Sequence, residues 1–181
     1  MRACAGSLMK ASYATLLMRY WLMKSEPCEF SIDDLAREGH VAWFGVRNYQ
    51  ARNFMRDQMR VDDGVLFYHS SCAEPGIAGL AVVSALAYPD ETQFEEGDYF
   101  DPKATRENPR WFNVEVKYVK HTRLMSLSEL RACPELVTLR ILARGNRLSI
   151  TPVDPDEWNF ILKKLASEPE YEQPMVRSRS L

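Results

Sequence analysis

What the 181 residues lack already narrows the field. There are only four cysteines, Cys4, Cys28, Cys72 and Cys133, and no C-x-x-C pair. In a chain of this size that spacing argues against a disulfide framework and for a reducing, cytoplasmic setting. No apolar run approaches the roughly 20 residues that span a bilayer, so a membrane is not an expected partner. Positive charge is not in excess: 23 Lys and Arg face 25 Asp and Glu, a net charge of −2. That excludes a uniformly basic coat for nucleic acid and leaves room for a local basic patch. The sequence has no G-x-x-x-x-G-K-[ST] loop, no G-x-G-x-x-G and no G-x-S-x-G, so phosphate-loop, dinucleotide and hydrolase chemistry lose their main support. His69 and Cys72 stand three apart, but no second pair offers zinc spacing, and neither a metal nor another cofactor is expected. A Cys72/His69 nucleophile pair is the weaker use of the same residues, because such pairs rarely come from neighbours in sequence. No repeat of 20–50 residues is present.

What remains has the balance of one soluble globular domain, with 46% hydrophobic and 27% charged residues. Residues 1–19 carry three basic residues and no acid, and Lys10, Ser12 and Thr15 interrupt the apolar stretch. They read as a loosely ordered extension rather than a leader peptide, with Met18 as an alternative start. From Ser167 to Leu181 the chain is polar with two prolines and reads as a disordered tail. The domain is therefore placed at 20–166.

Within it, Tyr20-Trp21-Leu22-Met23 predicts a buried strand. Ser31 and Asp34 predict a capping box opening a short helix that Gly39 closes. Asn48 predicts a second cap, followed by an apolar stripe of Ala51, Phe54, Met55 and Met59. Asp62-Asp63-Gly64 predicts a turn into a strand over 65–68. Residues 77–86 read as a central strand, and 111–119 as an alternating one with Phe112, Val114, Val116 and Tyr118 on one side. Residues 88–110 form a long loop with seven acids and three bases. Ser126 and Glu129 start a helix limited by Pro134. Leu148-Ser149-Ile150 reads as a brief strand, and Asp154-Pro155 as a strong helix start. Strands separated by short helices give an α+β class, a small and mostly antiparallel sheet or barrel.

Two groups of residues suggest chemistry. Arg47, Arg52, Arg56 and Arg60 crowd one window with only Asp57 against them; the last three are spaced i, i+4, i+8 and so share one helix face. Arg140, Arg144 and Arg147 form a second cluster around the turn Gly145-Asn146. Clustered arginines beside aromatics suit phosphates, though a solvated helix face explains them equally well. The other group is Trp43-Phe44-Gly45-Val46-Arg47-Asn48-Tyr49, where an aromatic face and an amide at a helix start could meet one planar base.

These segments together resemble the EVE domain. The similarity runs through Tyr20–Pro27, Ser31–Leu35, Gly45–Arg52, Phe67–Ser70, Glu74–Ile77, Asp101–Lys103, Asn108–Phe112, Arg144–Ser149 and Pro152-Val153, in that order, over about residues 20–165. The resemblance implies a PUA-like pseudo-barrel of mostly antiparallel strands with short peripheral helices. It also implies a pocket for a modified nucleobase, with modified cytosine in DNA the best supported class. The chain's compactness resembles bacterial members. Cys28 replaces the Asp common in the family, and Phe44 an acid or polar residue.

The leading expectation is a non-enzymatic reader of a modified base in DNA or RNA. Trp43 would stack on the base. Lys24, Ser25, Glu26 and Asn48 would meet its edge, and Ser70, Leu148 and Ser149 would line the other side. Arg47, Arg52, Arg144 and Arg147 would hold flanking phosphates. The alternatives are an enzyme of nucleic-acid or nucleotide metabolism, with Glu26 as general acid or base, and a protein-interaction adaptor. An exposed Trp43 in a concave pocket favours the reader; a buried one favours the adaptor.

Overall fold

A computed structural model describes residues 18–167. The expectations of a loose stretch over 1–19 and a disordered tail over 167–181 fall outside that range, apart from residues 18, 19 and 167. Six strands form one mixed sheet: β1 (Tyr20–Ser25), β2 (His40–Ala42), β3 (Gly64–His69), β4 (Gly76–Pro89), β5 (Phe112–Ser126) and β6 (Ile150–Val153). Their order is β2-β5-β4-β3-β1-β6. Only β1 and β3 pair in parallel; the other neighbours are antiparallel.

β1 is apolar throughout because it is covered on both faces. Trp21 and Met23 enter one core cluster with Val65 and Phe67 of β3, while Leu22 enters the other with Leu66 and Tyr68. The first cluster is closed by α1 (Ile32–Glu38) and α2 (Tyr49–Asn53), the second by α3 (Leu127–Ala132) and α4 (Pro155–Ala166). Strands buried on both faces read as continuous hydrophobic runs, which is the pattern seen at 20–23 and 65–68.

Local signals set the helix ends. Ser31 and Asp34 form the reciprocal capping box, and Gly39 ends α1 at φ 81°. Asp154 and Glu157 do the same for α4, with Pro155 at its first position. The α4 residue Trp158 stacks on Tyr20 at 4.4 Å and 14°. It also lies over Gly64, where a Cβ would stand 2.7 Å from the indole, so only glycine admits that closeness. Asp63, the buried residue before it, accepts from Trp21 Nε1 at 2.9 Å and from the Arg60 and Arg19 amides.

One strand carries no sequence signal, and two local expectations need correction. β2 is an edge strand of three residues, too short for a periodic pattern. The last strand begins at Ile150 rather than Leu148, because Asn146 Oδ1 accepts from the Leu148 amide and holds 146–148 in a turn. Pro152 is tolerated in this strand because β6 pairs with β1 alone and leaves one side open. Finally, the helix expected to carry Arg52, Arg56 and Arg60 on one face does not run through. At Phe54–Gln58 it widens into a π turn, with Met59 N donating to Phe54 O at 2.9 Å, and Met59 is already extended. Arg60 therefore lies beyond the helix.

Candidate nucleic-acid interface

The open end of the sheet carries a cavity of about 490 Å³, in the range that accepts a small ligand. Val41 and Ala42 of one edge strand line it, and so do Arg147 and Ser149, which lead into the strand at the other edge. The sheet thus curls until its two edges face each other across the cavity. The third wall is the C-terminal end of β1 and the loop after it: Lys24, Ser25, Glu26, Glu29 and Phe30.

Each wall is held by backbone. Lys24 N donates to Ser149 O at 2.8 Å, which pins the two ends of the domain together. Ser70 N donates to Ser25 O at 2.8 Å. Ser25 Oγ donates to Phe30 O at 2.6 Å and closes the 25–30 loop. Ser71 Oγ donates to Glu26 Oε1 at 2.7 Å, leaving the second carboxylate oxygen for other partners. Lys24 is half-buried, and that burial alone holds its ammonium below the ordinary lysine pKa. Among the described residues no carboxylate pairs with it.

The structure brings together Lys24, Ser25, Glu26, Trp43, Arg47, Ser70, Arg147 and Ser149 of the expected site. Trp43 stands in the cavity wall, but only 8% of it is exposed. Its ring is T-shaped to Phe67 at 5.6 Å and serves core and wall at once; its burial counts for the adaptor by the criterion above, while the recess it lines counts for a reader. Asn48 and Leu148 are not among the lining residues. Asn48 Oδ1 is consumed as the cap of α2, accepting from the Gln50 and Ala51 amides at 2.9 and 3.1 Å. Leu148 packs against the core cluster instead.

The arginines divide as well. Arg47 is committed to the fold: it meets Asp90 at 2.8 Å, Thr92 at 2.9 Å and the Tyr99 carbonyl at 2.6 Å. Arg56 pairs with Asp57. Arg52 bonds only neutral acceptors, Asn53 Oδ1 and the Arg110 carbonyl, and keeps its charge uncompensated. Burial, with Arg56 nearby, pushes its pKa down. Arg144 and Arg147 have no hydrogen-bonded partner among the described side chains. The acidic loop 88–110 is therefore not apart from the basic cluster. Asp90 clamps Arg47, and Asp101 faces Arg110 at 3.5 Å.

That loop supplies what the sequence pattern did not reveal. Tyr99 lines the cavity and packs edge-on with Phe44 at 6.0 Å. Asp90, fully buried, accepts from Gly45 N, Arg47 and Thr92 and seats the loop. The one visible clue was Gly45. Its φ is +77°, and a Cβ there would stand 2.9 Å from the Tyr99 ring. His69, singled out with Cys72, accepts from the Ile32 amide through Nε2 at 3.1 Å and so orients the start of α1.

Sheet and cavity together define an α+β domain of PUA-like architecture, curled around a recess of nucleotide size. The chain belongs to the EVE domain family, whose model matches residues 19–164. It is 41% identical to thymocyte nuclear protein 1 of Rattus norvegicus over 174 residues, 84% of this chain and 76% of that protein. The structure resembles a hypothetical protein from Leishmania major at TM-score 0.78 and 49% identity, covering 83% of this chain and 96% of that one. It also resembles human THYN1 protein in complex with 5-methylcytosine containing DNA, at TM-score 0.77 and 40% identity, covering 84% of this chain and 100% of that one. Among the described residues, no helix is long and apolar enough to cross a membrane.

Proposed function

We propose that this protein is a non-catalytic reader that takes a modified nucleobase of DNA, a cytosine carrying a small 5-substituent, into the cavity. The observation that carries the reading is Lys24: a half-buried ammonium without a carboxylate partner, facing an open recess. A desolvated cation of this kind gains most from an acceptor on a ligand. The carbonyl edge of a pyrimidine supplies one. The second oxygen of Glu26 suits an exocyclic amino group, as carboxylates do with cytosine. Val41, Ala42 and the exposed part of Trp43 provide apolar wall for a methyl group. Burying one methyl adds only about 0.8 kcal/mol, roughly a fourfold preference. Stronger discrimination must come from how well the cavity fits the rest of the base. The bond from Ser71 to Glu26 favours this role for the carboxylate over proton transfer, because it fixes an acceptor in place.

The test is a titration of fluorescent oligonucleotides differing in one 5-methylcytosine, with wild type and Lys24→Met. Wild type should prefer the methylated strand. The variant, which keeps the unbranched stem as far as Cε and removes the ammonium, should lose about tenfold or more on that strand and less on the unmodified one. Equal affinity of wild type for the two strands, or no effect of the variant, overturns the reading.

A further inference from the structure

From the rim of the cavity, two pairs of aromatic rings are joined through one guanidinium and followed by a second. Phe44, 51% exposed, meets Tyr99, 37% exposed, in an edge-to-face corner at 6.0 Å and 82°. The Arg47 guanidinium lies 5.3 Å from the Tyr99 ring and 5.4 Å from that of Trp111. Trp111 stacks on Tyr49 at 4.9 Å and 25°. Tyr49, 49% exposed, has Arg52 at 4.8 Å and Arg110 at 5.8 Å from its ring.

We infer that this line is a track for single-stranded nucleotides flanking the base in the cavity, with Phe44 and Tyr99 as its first stacking station and Tyr49 with Arg52 as its second. The inference rests on the base-reading proposed above, since the cavity sets where the track begins. Exposed π faces suit the bases of an unpaired strand, and the charge left for a phosphate is that of Arg52 at the second station, since Arg47 is held by Asp90. A base laid flat on Phe44 turns its edge toward Tyr99, the arrangement aromatic pairs favour. The station is built before any ligand arrives. Gly45 leaves room directly beneath the Tyr99 ring, and Arg47, itself fixed by Asp90, grips the Tyr99 carbonyl through Nε and Nη2. Rigid rings lose little freedom on binding, so their contact area converts well into affinity. Paired, stacked bases present no free face to such a station. The occupant is therefore an unpaired strand.

The experiment compares wild type and Phe44→Ala on three probes: the 5-methylcytosine mononucleotide, a single-stranded pentanucleotide with that base at its centre, and the same strand with abasic neighbours. Wild type should hold the pentanucleotide at least tenfold tighter than the mononucleotide. Phe44 also lines the mouth of the cavity, so Phe44→Ala should weaken the pentanucleotide about 5- to 100-fold, the mononucleotide by clearly less, and the strand with abasic neighbours no more than the mononucleotide. Phe44→Tyr, which keeps the ring, should restore binding. Phe44 is half exposed, so neither variant removes core. An equal loss on the mononucleotide would assign Phe44 to the cavity and overturn the track, as would no loss on the pentanucleotide. With the unmethylated pentanucleotide added as a further probe, equal wild-type affinity for the two strands and a loss on both in Phe44→Ala would mean that the base-reading fails and the stacking station stands.

Discussion

Arg47 and Asp90 are 43 residues apart in sequence and 2.8 Å apart in space, with Asp90 1% exposed and Arg47 22%. Through this pair the acidic loop 88–110 becomes part of the cavity rim. Asp90→Ala should cost about 3 kcal/mol, the low end for a broken buried pair, because Arg47 keeps some water. Urea unfolding measures it; an unchanged midpoint refutes it. Burial pushes the Asp90 carboxyl up, but its bonds from Arg47, Thr92 and Gly45 outweigh that and leave its pKa below the ordinary value. Its stabilising contribution is therefore complete above about pH 4 and lost as pH falls through the lowered value. Asp90→Asn should lack that acid-dependent loss.

His69 sets a second pH dependence, nearer neutrality. Burial lowers its pKa, with Asp33 opposing and His121 adding to the shift. Its Nε2 must stay unprotonated to accept the Ile32 amide. A depressed folded pKa means that the unfolded chain takes up the proton first. Stability should be full above about pH 6.5 and decline as pH falls through the lowered value. His69→Asn, which keeps an acceptor, should flatten the melting temperature between about pH 6.5 and 5. A wild type whose melting temperature is already flat there would show that this bond does not couple folding to protonation.

Arg52, like Arg144 and Arg147 of the expected set, has no acidic partner among the described side chains. Arg52→Gln should weaken methylated and unmethylated strands alike and reduce the slope of log affinity against log salt by about one contact. Arg47→Gln, by contrast, should act mainly through stability, since its guanidinium is already paired. Equal salt slopes for wild type and the Arg52 variant would remove it from the phosphate contacts.

Elements governed by neighbouring residues were legible in the sequence. The capping boxes at Ser31 and Asp154, the turn at Asp62-Asp63-Gly64 and the doubly buried run at 20–23 each follow from local chemistry. What escaped depends on partners far along the chain. β2 exists because Val41 pairs with Val116, and no three-residue pattern announces that. The i, i+4, i+8 spacing of Arg52, Arg56 and Arg60 promised one face, but the π turn interrupted it. Loop 88–110 read as a counterweight of charge, whereas buried Asp90 and Gln93 make it a wall. Asn48 was rightly placed at a helix start, and for that reason its carbonyl oxygen is not free for a base. Trp43 was expected to stack on a base; it is a buried core residue that also lines the cavity.

The bond from Lys24 N to Ser149 O has a consequence in time. The cavity is sealed by residues from the first strand and from the approach to the last, so it cannot exist on a nascent chain until about residue 150 has left the ribosome. Until then β1 has a bare edge where β6 will lie, and nothing closes the recess beside Lys24. Closure of the cavity thereby waits for nearly the whole domain to be made. A chain arrested before β6 would leave β1 as a bare edge open to any other strand nearby.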